Sequence, residues 1–138
     1  MKEYPLDNGF LLVLEKNEEI ISSIASFAEK EKIGFTSISG IGSADNAVLA
    51  YFDTTKKSYV ERVFEGDLEI VSISGNVCLA EEKPRVHLHC TISGNNYLAN
   101  SGHLVSAKIS VTCELVLTVF SKKISREMDE RTGLMLIG

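Results

Sequence analysis

The chain contains three histidines, His87, His89 and His103, and their spacing is the first chemical signal. Two of them stand at i and i+2 in Val86-His87-Leu88-His89. On a β-strand alternate side chains share a face, so both rings project together from Cα atoms roughly 6.6 Å apart. Between this segment and His103 lies Gly94-Asn95-Asn96, whose residue types suit a three-residue hairpin loop. That loop pairs Ser93 with Tyr97 and sets His87 opposite His103, with Cβ atoms roughly 4.5–5.5 Å apart. A slip of one residue would turn His103 to the other face. On this register the three imidazoles converge, and neutral imidazole is a ligand for zinc and other first-row metals. Three protein ligands leave a fourth position open, where the ion can polarise a carbonyl or lower the pKa of a water to about 7. Zinc is the leading expectation, and iron, nickel and manganese accept the same donors. The bland alternative is three unrelated surface or core histidines, and an HxH motif by itself is weak.

Three further residues are candidates for work beside such a centre. Glu69 and Glu114 fall within apolar runs, where an unpaired carboxylate is costly to bury. Each is a candidate fourth ligand, partner to a histidine, or general acid/base. Solvent-facing strand positions or a buried ion pair account for them equally well. Arg85, just before the HxH, can grip a substrate carboxylate through two hydrogen bonds; surface or interface duty is its ordinary role. Tyr51, Tyr59 and Tyr97 read as packing residues. The three cysteines, Cys78, Cys90 and Cys113, are odd in number and form no CxxC pair, so they read as reduced core thiols. Cys90 adjoins His89, but on a strand it points to the opposite face.

The elements that would position these groups follow from periodicity. Phe10 to Glu15 reads as a strand. Asn17 is placed to cap a helix with Glu18 and Glu19 in its first turn. Ile20, Ile21, Ile24, Phe27 and Ala28 recur at helical spacing, and Gly34 is the expected terminator. Beyond it the chain reads as β: 35–41, 48–53, 58–64, 68–79, 85–93, 100–106 and 109–121. Gly66-Asp67 is the expected turn between two of these strands. Gly40 and Gly42 permit a bend or a close backbone approach but match no phosphate loop. In the last strand Thr112, Glu114, Val116 and Thr118 share one face, and Val111, Cys113, Leu115 and Leu117 the other. One principal helix on a large, mainly antiparallel sheet is an α+β fold.

With 138 residues and 44% apolar content, residues 1–138 suit a single domain that needs no metal to complete its core. Acidic residues outnumber basic ones by 19 to 14, a formal charge of -5, which opposes bulk attraction to nucleic acid. The paired lysines at 56–57 and 122–123 are too short to form a patch. Neither a secretory leader nor a membrane-spanning run is evident, so the expected location is cytoplasmic, away from any membrane.

Taken in order, the segments Ser39-Gly40-Ile41-Gly42, Tyr51-Phe52-Asp53, Glu65-Gly66-Asp67-Leu68-Glu69-Ile70, Ser74-Gly75-Asn76-Val77, Pro84-Arg85-Val86-His87-Leu88-His89, Gly102-His103-Leu104 and Thr112-Cys113-Glu114-Leu115-Val116-Leu117 resemble the PPC domain of prokaryotes and of plant AT-hook proteins. The likeness runs from about Phe10 to Phe120. Each segment is weak alone; their order and spacing are specific. The resemblance implies a homotrimer, and histidines at the family's positions at 87, 89 and 103. It also implies a fold similar to acetolactate decarboxylase, a metal enzyme with histidine ligands. Two departures stand out: Ser101 replaces a family glycine, and the Arg-Gly-Arg-Pro core of an AT-hook is missing. The expected role is a trimeric metal-binding module. The alternatives are a metal-dependent enzyme on a small oxo-acid or ester, with Glu69 or Glu114 moving a proton and Arg85 orienting an anion, and a DNA-associated regulatory protein. Direct DNA contact is the less expected of these without the AT-hook.

Overall fold

A computed structural model describes all of residues 1–138. Its elements are β1 (Lys2–Leu6), β2 (Gly9–Glu15), α1 (Ile20–Lys30), β3 (Thr36–Asp53), β4 (Ser58–Ala80), β5 (Lys83–Ser93), β6 (Ala99–Val119), β7 (Arg126–Asp129) and β8 (Leu134–Ile137). The first six strands form one antiparallel sheet in the order β1-β2-β6-β3-β4-β5, and β5 also pairs with β6. That last pairing closes β3, β4, β5 and β6 into a ring, which brings the histidine strands together. The ring and the inner face of α1 enclose a continuous apolar core including Phe27, Ile73, Leu88, Leu104 and Leu115. This is the expected α+β architecture with a single helix. No helix is long and apolar enough to cross a membrane.

Several strands are longer than the sequence suggested. Gly66-Asp67 is not a turn; β4 runs straight through it beside β3. The register steps from Asn46↔Glu65 to Ala44↔Leu68, so one extra residue is absorbed as a β-bulge, with Gly66 at φ +100°. Continuous pairing with β3 overrides the local turn preference. The segments 100–106 and 109–121 likewise fuse into β6. The step from Ala44↔Ile109 to Gly42↔Cys113 turns Val111 outward, 72% exposed, so it leaves the face shared by Cys113, Leu115 and Leu117. Gly40 and Gly42 serve as a close approach: an ideal Cβ on either would lie 2.5–2.6 Å from a carbonyl oxygen of β6.

The helix is capped by Glu19, not Asn17. The Glu19 carboxylate accepts from the N–H groups of Ile21 at 3.0 Å and Ser22 at 2.7 Å, and from Ala107 on β6 at 3.2 Å. Asn17 is drawn away because its N–H pairs with Ile109 O at 2.9 Å and its φ is +74°. The helix ends before Gly34, with Lys32 in the left-handed region at φ +53°. Ile33 N–H then reaches Ala28 O and Lys32 N–H reaches Glu29 O, the paired bonds of a Schellman end. Burial of Ile33 beneath this turn supplies the apolar contact that usually accompanies it. β1, β7 and β8 are short and had no periodic signal in the sequence. Cys78, Cys90 and Cys113 are free and buried, as expected of core thiols, and burial pushes Cys90 and Cys113 up to about 12.

Candidate metal centre

β5 places Leu88, Cys90 and Ile92 in the core, which turns His87 and His89 to its other face. β6 brings His103 beside them. The pairing is His89↔His103, not His87↔His103, because the connection spans residues 94–98 and Ser93 pairs with Ala99. Tyr97 adopts φ +59°, its N–H bonds to Gly94 O at 3.0 Å, and Asn96 Oδ1 accepts from Leu98 N–H at 3.0 Å. Those bonds lengthen the loop by two residues. A shift of two preserves strand parity, so His103 still faces its partners.

The ring centroids lie 5.3 Å apart for His87–His89, 5.1 Å for His87–His103 and 5.7 Å for His89–His103. One ring nitrogen from each lies within 4.8 Å of the other two, and no carboxylate or thiol joins the group. Ligation of one tetrahedral ion with bonds of about 2.05 Å needs nitrogens about 3.3–3.4 Å apart, closer than the 4.8 Å within which these three lie. His103 Nδ1 is buried without a hydrogen-bond partner; such an orphan is costly, and a metal ion within the triad would satisfy one. Burial, with the positive charge of Arg126 next, lowers His87 to about 4. His103 is also lowered, by burial first. Both rings are therefore neutral at pH 7, the form that ligates metal. The donor set fits a first-row divalent ion.

Arg126, at the start of β7, is the residue the sequence reading missed; it lies beyond the segments that carried a pattern. It is 8% exposed. Its Nη1 donates to Met135 O at 3.1 Å, and its Nη2 donates to Asn76 Oδ1 at 2.9 Å and contacts His87 Nδ1 at 3.2 Å. Guanidinium has no acceptor, so His87 Nδ1 must accept. Tyr59, expected only to pack, stacks on the His103 ring at 4.9 Å and 27°. Tyr51 and Tyr97 are 61% and 89% exposed and pack in no core of the chain.

A concavity of about 220 Å³ opens beside the histidines, lined by His87, His103, Tyr59, Arg85, Arg126 and the β8 segment. Arg85 thus stands where the sequence placed it. Glu69 and Glu114 do not: both are exposed and flank β3 beside Ser43 and Ile41, where they line a separate shallow depression. The strand pairings that carry them keep them away from the histidine pocket.

A family model described as the Plants and Prokaryotes Conserved (PCC) domain matches residues 1–121. None of the curated proteins matches. A metal-containing protein from Archaeoglobus fulgidus is 36% identical, with 99% of each chain covered and a TM-score of 0.87. A candidate DNA-binding protein from Bacteroides thetaiotaomicron is 28% identical over 99% of this chain and 96% of its own, with a TM-score of 0.96. Acetolactate decarboxylase from Bacillus subtilis is 14% identical over 80% of this chain and 52% of its own, with a TM-score of 0.56. That last likeness concerns the fold alone. The PPC resemblance read from the ordered segments and the match over residues 1–121 name the same family: the chain belongs to the PCC domain family.

Proposed function

We propose that residues 1–138 form one metal-binding PCC unit whose His87, His89 and His103 hold a divalent transition metal, zinc foremost, with one coordination position open. The observation that carries this reading is the convergence of three ring nitrogens, without any carboxylate, within 4.8 Å. The metal-containing relative from Archaeoglobus fulgidus supports it. When bound, such an ion supplies Lewis acidity at the mouth of the pocket. The chain supplies neutral imidazoles, a stacking wall at Tyr59 and cationic groups at Arg85 and Arg126.

The test is elemental mass spectrometry on protein purified without chelators, beside His87→Ala and His103→Ala. About one metal per chain in the parent, lost in both variants with circular dichroism unchanged, is the expected result. Parent protein that stays metal-free after incubation with zinc, iron and nickel would sink the reading.

A metal-dependent enzyme acting on a small oxo-acid or ester is the second reading. Arg85 beside the triad favours it, and the positions of Glu69 and Glu114 leave no carboxylate in the pocket to move a proton. The DNA-associated reading draws on the Bacteroides relative, against a formal charge of -5 and a chain without an AT-hook. Exposed apolar side chains on the outer sheet face, Ile41 at 57%, Val71 at 52% and Val111 at 72%, support assembly into the homotrimer that the family resemblance implies.

A further inference from the structure

Arg126 is a buried cation for which the chain supplies no anion. The residue is 92% buried (8% exposed), and the partners of its guanidinium are a backbone carbonyl, a side-chain amide and an imidazole, all neutral. Its Nε–H is buried without any partner. None of the ion pairs of the chain includes Arg126 or Arg85, and no Asp or Glu lines the pocket the two arginines share. Buried charges in proteins are ordinarily paired, since an isolated one forfeits its hydration without return. In a chain of net charge -5, an unpaired cationic pocket is a local departure that calls for a counter-charge.

We infer that the pocket between the histidine triad and the β7–β8 hairpin is a binding site for a small oxyanion, with Arg126 as its buried counter-charge and Arg85 at its rim. The presence of the anion rests on Arg126 alone; its placement at the open coordination position rests on the proposed metal centre. A cavity of about 220 Å³ has room for a small anion, and guanidinium matches two oxygens of a carboxylate or phosphate. A neutral imidazole has one lone pair, and that of His87 now faces Arg126. His87 cannot give it to a metal and to the guanidinium at once. Ligation at His87 therefore frees an Arg126 N–H at the pocket, so metal and anion bind cooperatively.

Titration calorimetry with pyruvate and, separately, with inorganic phosphate tests this on zinc-loaded and chelator-stripped protein, with metal content measured on every sample. Binding of at least one anion is expected, weaker in stripped protein and weakened by about tenfold or more in Arg126→Met. Zinc affinity in Arg126→Met should be unchanged or several-fold tighter, because a competitor for the His87 lone pair and a positive charge are removed; a merely structural Arg126 would lose both ligands together. Arg85→Met, at an exposed position, provides a variant safe for folding and should weaken the anion without loosening zinc. The pyruvate and phosphate arms separate a planar from a tetrahedral oxyanion. Parent protein that takes up no zinc yet still binds anion would overturn the metal centre and leave this site standing. Loaded parent that binds neither anion, or variants that both bind as the parent does, would overturn the inference.

Discussion

At the scale of single residues, the centre is governed by which groups carry protons. His87 titrates near 4 because burial, and then the charge of Arg126, disfavour its cationic form; in an unfolded chain a histidine titrates near about 6.5. Between those values the unfolded state binds a proton that the folded state refuses. The folded state is therefore at no disadvantage above about pH 6.5 and loses stability as pH falls toward about 4. Urea unfolding of chelator-treated protein should show its midpoint dropping between pH 7 and pH 5 more steeply in the parent than in His87→Gln. Parallel slopes would remove His87 as the source. His87, His89 and His103 were legible as candidates because a rare residue type at strand spacing announces itself, and Arg85 because it stands just before the HxH. Arg126 was not, because an arginine in a short polar segment looks like any solvated one until its burial is known.

At the scale of elements, the centre depends on how closely β4 holds β5. Gly75 on β4 pairs with Leu88, and an ideal Cβ there would lie 2.0 Å from His87 O. Neither backbone can yield without separating the strands, so Gly75→Ala should cost about 2 kcal/mol or more by chemical denaturation. It should also lower metal occupancy, because His87 rides on the displaced segment. A variant with parental stability and full metal content would show that the strand pair tolerates the shift. The β5–β6 hairpin illustrates what local reading can and cannot reach. Parity alone puts the three rings on one side, and a loop two residues longer than expected left that unchanged while moving the partner of His103 from His87 to His89. The helix cap passed from Asn17 to Glu19 because Glu19 also satisfies the Ala107 N–H across the fold, a contact invisible in the helix's own sequence.

At the scale of the whole molecule, the closed ring leaves one broad outer face without cover. Ile41 and Val111 share a depression there with Glu69 and Glu114, and both apolar side chains are more than half exposed. If this face builds the trimer, Ile41→Glu and Val111→Glu should shift the species seen by size-exclusion chromatography with light scattering from three chains toward one. Chain stability measured on the monomer should change by only about 0.5 kcal/mol, as for other exposed sites. A parent that runs as a monomer would dispose of the assembly, and variants that remain trimeric would place its interface elsewhere. Glu69 and Glu114 then belong to this face, where strand length and bulges have carried them, and not to the chemistry of the histidines.

By itself the sequence determined the class of the fold, the apolar face of the helix, the burial of the cysteines and the side of the sheet on which the histidines stand. All of these follow from residue type and a period of 3.6 or 2, which are local properties of the chain. Only the tertiary structure decided the pairing of His103, the fusion of short strands through bulges, the exile of Glu69 and Glu114, and the arrival of Arg126 at the pocket. Each of those depends on the pairing of β3 with β4 and β6, on the closure of β5 on β6 or on the return of β7, contacts between segments apart in the chain whose energy no local window contains.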